Sequence, residues 1–238
     1  MHLIKIIDFK NHTNNLFEFT TTRPVDFRFR AGEFAMIKIP GYDIKRAYSI
    51  GSPTHSDTLT WLSIVAPGGP FTDRLKDMKI GDDLLMATKA VGSLVFNNLT
   101  NNPRDLYLVS TGTGVTPWAS IIGDEETKKF RNVIVIHSVR ESKELVWEQR
   151  MKDLYQIWND KDLVYIPTTT RERSNGLRSS RIQFLPEFCP VADEGDQVMV
   201  CGNFPFVTDI KAILNIKGFV VGSANTPGNF LYEKAFVG

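Results

Sequence analysis

The chain has 238 residues, 42% of them apolar, enough to give one large domain or two ordinary ones a real core, which excludes fibres and disordered chains. Its 28 Lys plus Arg nearly cancel its 27 Asp plus Glu, so no global field recruits nucleic acid or an anionic membrane, and any charged partner must be read locally. The longest strictly apolar runs, such as Val133-Ile134-Val135-Ile136, fall far short of the roughly 20 residues that span a bilayer, and two cysteines, Cys189 and Cys201, exclude a disulfide framework or a four-thiolate metal site from this chain alone. The stretch from Met1 to Asp8 has no continuous apolar segment of the kind found in secretory signals, so the expected compartment is the cytoplasm.

In chain order, Leu3–Phe9, Leu16–Thr22, Phe34–Pro40, Arg46–Ser52 and Leu59–Val65 read as short β-strands separated by turn residues, with Asp82–Ala87 and Ser93–Phe96 as further strands and Phe71–Met78 as a short helix. Strands so closely spaced predict an antiparallel barrel or sandwich. The polar, turn-prone segment Asn97-Asn98-Leu99-Thr100-Asn101-Asn102-Pro103 marks a boundary, giving domains 1–100 and 101–238. Beyond it, strand-like Leu106–Ser110, Val133–Ser138, Leu163–Thr168 and Gln197–Cys201 alternate with helical Pro117–Gly123, Lys143–Trp158 and Pro205–Ile216. That order predicts a parallel, helix-covered, doubly wound sheet. Ligands of such an architecture sit between domains and at strand carboxyl ends.

Four segments carry chemistry. Arg46-Ala47-Tyr48-Ser49 puts a guanidinium, an aromatic ring and a hydroxyl within four residues, which suits a phosphate, a stacked ring and a hydrogen bond, or else an edge strand with an exposed arginine. Pro67-Gly68-Gly69-Pro70-Phe71-Thr72, ahead of the short helix, is a second phosphate cradle or a plain loop. The strand at Leu106 runs directly into Thr111-Gly112-Thr113-Gly114-Val115-Thr116-Pro117, where glycines let backbone approach an anion and Pro117 suits the first turn of a helix. This is half of a dinucleotide fingerprint, without the third glycine. An acidic residue about 20 positions on, which would hold a ribose 2′-hydroxyl, is absent. Arginines stand there instead, in Ser138-Val139-Arg140 and Thr170-Arg171-Glu172-Arg173, with Arg178 and Arg181 behind, and guanidinium suits a 2′-phosphate. A solvated basic loop is the other reading of these arginines.

These pieces in this order, with Val200-Cys201-Gly202-Asn203 and the C-terminal Tyr232-Glu233-Lys234-Ala235-Phe236-Val237, resemble the ferredoxin/flavodoxin–NADP(H) reductases of bacterial type over nearly the whole chain. The resemblance implies an FAD in the N-terminal antiparallel barrel, NADP(H) in the C-terminal α/β domain, and a C-terminal segment returning to the flavin. It implies that Arg46 neutralises the FAD pyrophosphate, that Tyr48 stacks on the isoalloxazine beside Ala47, and that Ser49 hydrogen-bonds near flavin N5. Ser63, Ile64, Val65 and Ala66 would follow the ribityl and adenosine side, and Pro70, Phe71 and Thr72 the pyrophosphate. Gly112, Thr113, Gly114 and Thr116 would take the NADP pyrophosphate and reach toward the nicotinamide, with Arg140, Arg171 and Arg181 on the 2′-phosphate. Cys201 would face the nicotinamide at the hydride-transfer site, making Tyr48, Ser49 and Cys201 the catalytic set with no metal. Ala235 would lie against the flavin and Phe236 against the FAD adenine. One departure is Phe204, which stands after C-G-N where the family usually places proline. The implied activity is hydride transfer between NADP(H) and flavin and single-electron exchange with ferredoxin or flavodoxin, by a monomer. A related flavin or oxygenase-type reductase, a non-catalytic nucleotide-binding module and a structural barrel are the alternatives.

Overall fold

The computed structural model describes residues 1–66, 68–101, 103–172 and 178–235, and of Arg178 the backbone alone. The N-terminal half forms β1 (His2–Asn11), β2 (Leu16–Thr22), β3 (Phe34–Lys38), β4 (Lys45–Ser49), β5 (Thr58–Ile64), a short helix α1 (Pro70–Lys76) and β6 (Asp83–Met86). The strands pair antiparallel in the order β4-β3-β6-β1-β2-β5. The two ends of that order come together. Gly51, just past β4, donates its N–H to the Thr60 carbonyl of β5 at 2.8 Å, and the Tyr48 hydroxyl lies 3.0 Å from Ser63 Oγ. The sheet therefore curls into the expected barrel, and residues at alternate positions fill it, among them Ile4, Ile6, Phe17, Phe19, Ile37 and Trp61. α1 adds Phe71 and Leu75 to the same core.

No strand forms at Ser93–Phe96. The Ser93 carbonyl accepts from both Val95 N–H and Asn98 Nδ2, each at 2.9 Å, which turns the chain before it can pair. The boundary segment is also pinned, since Thr100 N–H donates to the Gly228 carbonyl and Gly228 N–H to the Asn98 carbonyl.

The C-terminal half contains β7 (Asp105–Thr111), α2 (Thr116–Ile122), β8 (Asn132–Val139), α3 (Glu148–Gln156), β9 (Val164–Thr169), the two-residue β10 (Arg178–Ser179), β11 (Gln197–Gly202), α4 (Phe204–Ile216) and β12 (Phe230–Lys234). All six strands are parallel, ordered β10-β9-β8-β7-β11-β12. The sheet is covered on both faces: Leu106 and Leu108 of β7 share a core with Trp118 and Ile121 of α2 and Met151 of α3, while Tyr107 and Val109 share another with Val207, Ile210 and Leu214 of α4. That is the doubly wound arrangement, and it explains why β7, β8 and β11 read as continuous apolar runs. Strand order reverses between β7 and β11, so the crevice at their carboxyl ends is the natural ligand position.

The helix expected over 143–158 is shorter. Trp147 has φ 71°, the one left-handed non-glycine among the described residues, and α3 begins only after it. Its indole N–H donates to Glu18 Oε2 of β2 at 2.7 Å, its ring covers Gly51, and the Arg150 guanidinium lies 4.9 Å from its centroid. These contacts hold a conformation that costs roughly 1–2 kcal/mol, and they join the two halves. Leu16, Ala31, Leu62 and Leu94 of the barrel extend the join by packing into the core that holds α2. Among the described residues, no helix is long and apolar enough to cross a membrane.

Candidate functional site

The carboxyl edge of the parallel sheet faces the outer surface of β4 and β5, leaving a cavity of about 370 Å³. Its barrel wall holds Arg46, Ala47, Tyr48 and Ser49 from β4, Ser63 and Ile64 from β5, then Ala66, Phe71 and Thr72. Alternation does not explain four consecutive lining residues on β4. β4 stands at one end of the sheet order, where it meets β5 at the Tyr48–Ser63 contact and, past Ser49, at Gly51. Tyr48 is nearly buried and packs edge-on to Phe19, with the Phe71 ring tilted by 39° to it at 6.2 Å between centroids. Burial pushes its phenol up to about 12, partly offset by the Ser63 hydrogen bond and by Arg46, so it stays protonated. Thr72 turns inward on its own loop: its Oγ1 accepts from Ala66 N–H and donates to the Gly69 carbonyl, both at 3.1 Å.

The opposite wall is built at the strand-order reversal. Thr113, Gly114 and Thr116 line it from the 3₁₀ turn Gly112–Val115 and the start of α2, and Cys201 lines it from the end of β11. Gly114 is required there, because a Cβ would overlap the Cys201 carbonyl oxygen and lie 2.8 Å from its carbonyl carbon. Thr116 Oγ1 closes the turn by donating to the Thr113 carbonyl at 2.7 Å. The Cys201 thiol is buried, and burial, then the nearby Glu233, pushes it well above the usual thiol range. It is a neutral group, not a thiolate. Asn203 caps α4 by accepting from Phe206 N–H at 3.1 Å, so the helix starts at Phe204 without proline directly after the asparagine.

The third wall is β12 with Ala235. Ala235 N–H donates to the Gly202 carbonyl at 2.8 Å, which extends the strand past its partner and over the cavity. Gly69, from the expected phosphate cradle, lines the cavity; so do Tyr232, Glu233, Lys234, Phe34 and Leu62, five residues to which the sequence assigns no role there. Glu233 accepts from Ser93 N–H and Oγ, 140 positions away. Its carboxyl is raised by burial, against the lowering effect of those bonds. A periodic signal was absent for β12, an edge strand of five residues, and the one available clue was the C-terminal stretch itself.

Some expected residues stand elsewhere. Val65 packs against the barrel core, Pro70 is the first residue of α1, and Gly112 lies outside the cavity with its carbonyl accepting from buried His137 Nε2 at 2.9 Å. Arg140, Arg171 and Arg181 are exposed and away from the cavity, just beyond the carboxyl ends of β8, β9 and β10. The Arg171 N–H donates to the Arg140 carbonyl at 3.0 Å, which brings those two positions together. Among the described residues, none forms an ion pair with the three guanidiniums. Pro67, Arg173 and Phe236 lie outside the described residues.

An aromatic floor with a guanidinium and hydroxyls at its rim suits a flat heteroaromatic ring carrying an anionic arm, and the glycine turn opposite suits a second anionic ligand. The family model for the oxidoreductase NAD-binding domain matches residues 108–212. The flavodoxin/ferredoxin–NADP reductase of Rhodobacter capsulatus is 37% identical over 96% of this chain and 91% of its own, and the ferredoxin–NADP reductase of Pseudomonas aeruginosa 34% over 98% and 96%. Among solved structures, a ferredoxin NADP+ reductase from Neisseria gonorrhoeae with bound FAD and NADP superposes with a TM-score of 0.87 at 30% identity, covering 99% of this chain and 98% of that one.

Proposed function

The chain belongs to the bacterial-type ferredoxin/flavodoxin–NADP reductases, and from that premise we infer how its own residues divide the reaction. Its activity is electron exchange between NADP(H) and ferredoxin or flavodoxin, and its cofactors are FAD and NADP(H). Bound FAD supplies a carrier that takes two electrons as a hydride and gives them up singly. The residues do the rest. Arg46 would neutralise the FAD pyrophosphate and Tyr48 would present its ring to the isoalloxazine, with its protonated phenol anchored on Ser63. Ser49 would stand beside N5 as a hydrogen-bond partner, and Ala235 would cover the other side. Thr113, Gly114 and Thr116 would hold NADP(H) from the sheet edge, with Arg140, Arg171 and Arg181 on its 2′-phosphate. Cys201 would orient the nicotinamide by contact, since a neutral thiol of raised pKa is no nucleophile.

The observation that carries this assignment is a single cavity shared by Arg46–Ser49 of the barrel, Thr113, Gly114, Thr116 and Cys201 of the sheet edge, and Ala235. Residues on opposite walls of one cavity would hold the two cofactors side by side, an arrangement that suits a hydride transfer from which water is kept out. The proposal further takes residues 1–100 as the FAD domain and 101–238 as the NADP(H) domain, with the protein a monomer. It also takes the cytoplasm as its compartment, where the unpaired Cys189 and Cys201 stay reduced. The test is anaerobic stopped flow on the yellow holoenzyme. NADPH should bleach the flavin in one phase, and a ferredoxin or flavodoxin added afterwards should reoxidise it. If Ser49→Ala and Cys201→Ser both bleach at the unaltered rate, the assignment of this cavity to hydride transfer is wrong.

A further inference from the structure

His137 is a deeply buried ionisable group that the reaction described so far does not use. It sits near the carboxyl end of β8 with 1% of its surface exposed, and both ring nitrogens are engaged: Nε2 lies 2.9 Å from the Gly112 carbonyl and Nδ1 lies 2.9 Å from the Tyr165 hydroxyl of β9. A carbonyl oxygen can only accept, so Nε2 carries the hydrogen. Nδ1 of the neutral ring is then a bare acceptor, and Tyr165 donates to it. Burial lowers the imidazole to about 4, which agrees with a neutral ring at physiological pH.

The bond to Gly112 has a directional consequence. In a trans peptide the C=O and the following N–H point in opposite directions. With the Gly112 carbonyl held against His137, inside the sheet, the N–H of Thr113 is aimed away from it, and Thr113 lines the cavity. Gly112 adopts φ 53°, a left-handed conformation that a freed glycine leaves easily. Among the described residues, two side-chain bonds reach into the turn, His137 on the Gly112 carbonyl and Thr116 on the Thr113 carbonyl, and Thr111 before it provides no side-chain cap.

We propose that His137 is a positioning residue for NADP(H) binding: fixed by Tyr165 as the Nε2–H tautomer, it locks the Gly112–Thr113 peptide so that the Thr113 N–H faces the incoming dinucleotide. The proposal rests on the reading of Gly112 to Thr116 as the NADP(H) turn, and it adds a group from the neighbouring strand that touches no ligand.

The experiment uses holoenzyme and titrates NADP+ by the change in the flavin spectrum, alongside stopped-flow reduction by saturating NADPH. His137→Phe keeps a planar ring and loses the donor. It should weaken NADP+ by about tenfold, the effect of one neutral hydrogen bond. Flavin content and the limiting reduction rate should stay within about twofold, because a phosphate contact made equally in ground and transition states affects KM, not kcat. His137→Gln, whose amide donates and whose carbonyl accepts, should recover most of the affinity. Tyr165→Phe, which deletes only the oxygen that fixes the tautomer, should weaken NADP+ by about two- to threefold and serves if H137F does not fold. Gly112→Ala tests the turn itself, since a Cβ there meets no protein atom within 4 Å and projects into open space. Weak NADP+ binding in G112A with unaltered binding in H137F, or in Y165F where H137F does not fold, overturns the role of His137 and leaves the turn assignment standing. Unaltered binding in all of them overturns the turn assignment and this proposal with it. Equal losses in H137F and H137Q, both folded, overturn the donor argument.

Discussion

Gly114→Ala tests whether the two walls of the cavity are as tightly coupled as their geometry requires. A Cβ at this position overlaps the Cys201 carbonyl oxygen and lies 2.8 Å from the Cys201 carbonyl carbon and 3.1 Å from Gly202 N, all of them backbone atoms. Carbon atoms in ordinary contact stand about 3.5–4.0 Å apart, so the turn and the strand must separate by about 0.7 Å or more. β11 is paired with β7 on one side and β12 on the other, which leaves the Gly112–Val115 turn as the part that moves. It would carry Thr113 away from Cys201. Overpacking of this kind costs about 1–3 kcal/mol in stability, and a misplacement near 1 Å slows a positioned reaction by on the order of a hundredfold. Thermal unfolding measures the first and stopped-flow reduction of the flavin by NADPH the second. Dithionite reduction and FAD content should not change, because the barrel wall is untouched. A variant that melts with the unaltered protein and takes the hydride at the unaltered rate would refute the claim that this glycine sets the distance between the walls.

Tyr48→Phe should keep FAD but lower stability by roughly 1 kcal/mol, since Ser63 Oγ loses its buried partner, whereas Tyr48→Ala should also shed FAD, having lost a stacking contact of about 0.5–1.5 kcal/mol beyond its area; flavin absorbance after gel filtration and urea titration separate the two. Replacing Arg171 and Arg181 with alanine should raise the KM for NADPH by about tenfold or more while leaving NADH turnover nearly unchanged, as exposed charge-assisted bonds contribute less than their buried value of about 1.5–3 kcal/mol each; equal losses with both coenzymes would remove the arginines from the 2′-phosphate. The folded protein holds His137 at about 4 against an unfolded value of 6.5, so the unfolded chain binds a proton that the native state refuses in that window. Stability is complete above 6.5 and should fall by up to about 3 kcal/mol as pH drops to 4, a slope that urea titrations of His137→Gln should lack.

What could be read locally was read from local causes. Alternating apolar residues located β2 and β5 almost to the residue, and continuous ones located β7, β8 and β11, because side-chain period and two-faced burial leave their mark within a few positions. Arg46 to Ser49, the turn after Thr111 and Cys201-Gly202-Asn203 were visible for the same reason: turn chemistry and strand ends are short-range properties.

The rest was settled by groups distant in sequence. The helix expected from Lys143 starts at Glu148 because Trp147 is drawn into a left-handed conformation by Glu18 and Gly51, which lie on the other domain. Ser93–Phe96 has strand composition, yet its residues turn to receive the carboxylate of Glu233. β12 joins the sheet beside β11, so a pattern of five residues carries too little alternation to announce it, and that pairing brings Tyr232, Glu233 and Lys234 to the cavity. His137 reads as one more residue of a buried strand until β7 and β9 place Gly112 and Tyr165 at its two nitrogens. Sequence alone determined which segments are strands, turns and helices and which of them carry binding chemistry, since those follow from neighbours a few residues apart. The closed barrel, the third wall of the cavity and the support behind the glycine turn depended on pairings across 9 to 140 positions, whose energies exist only once the chain has folded.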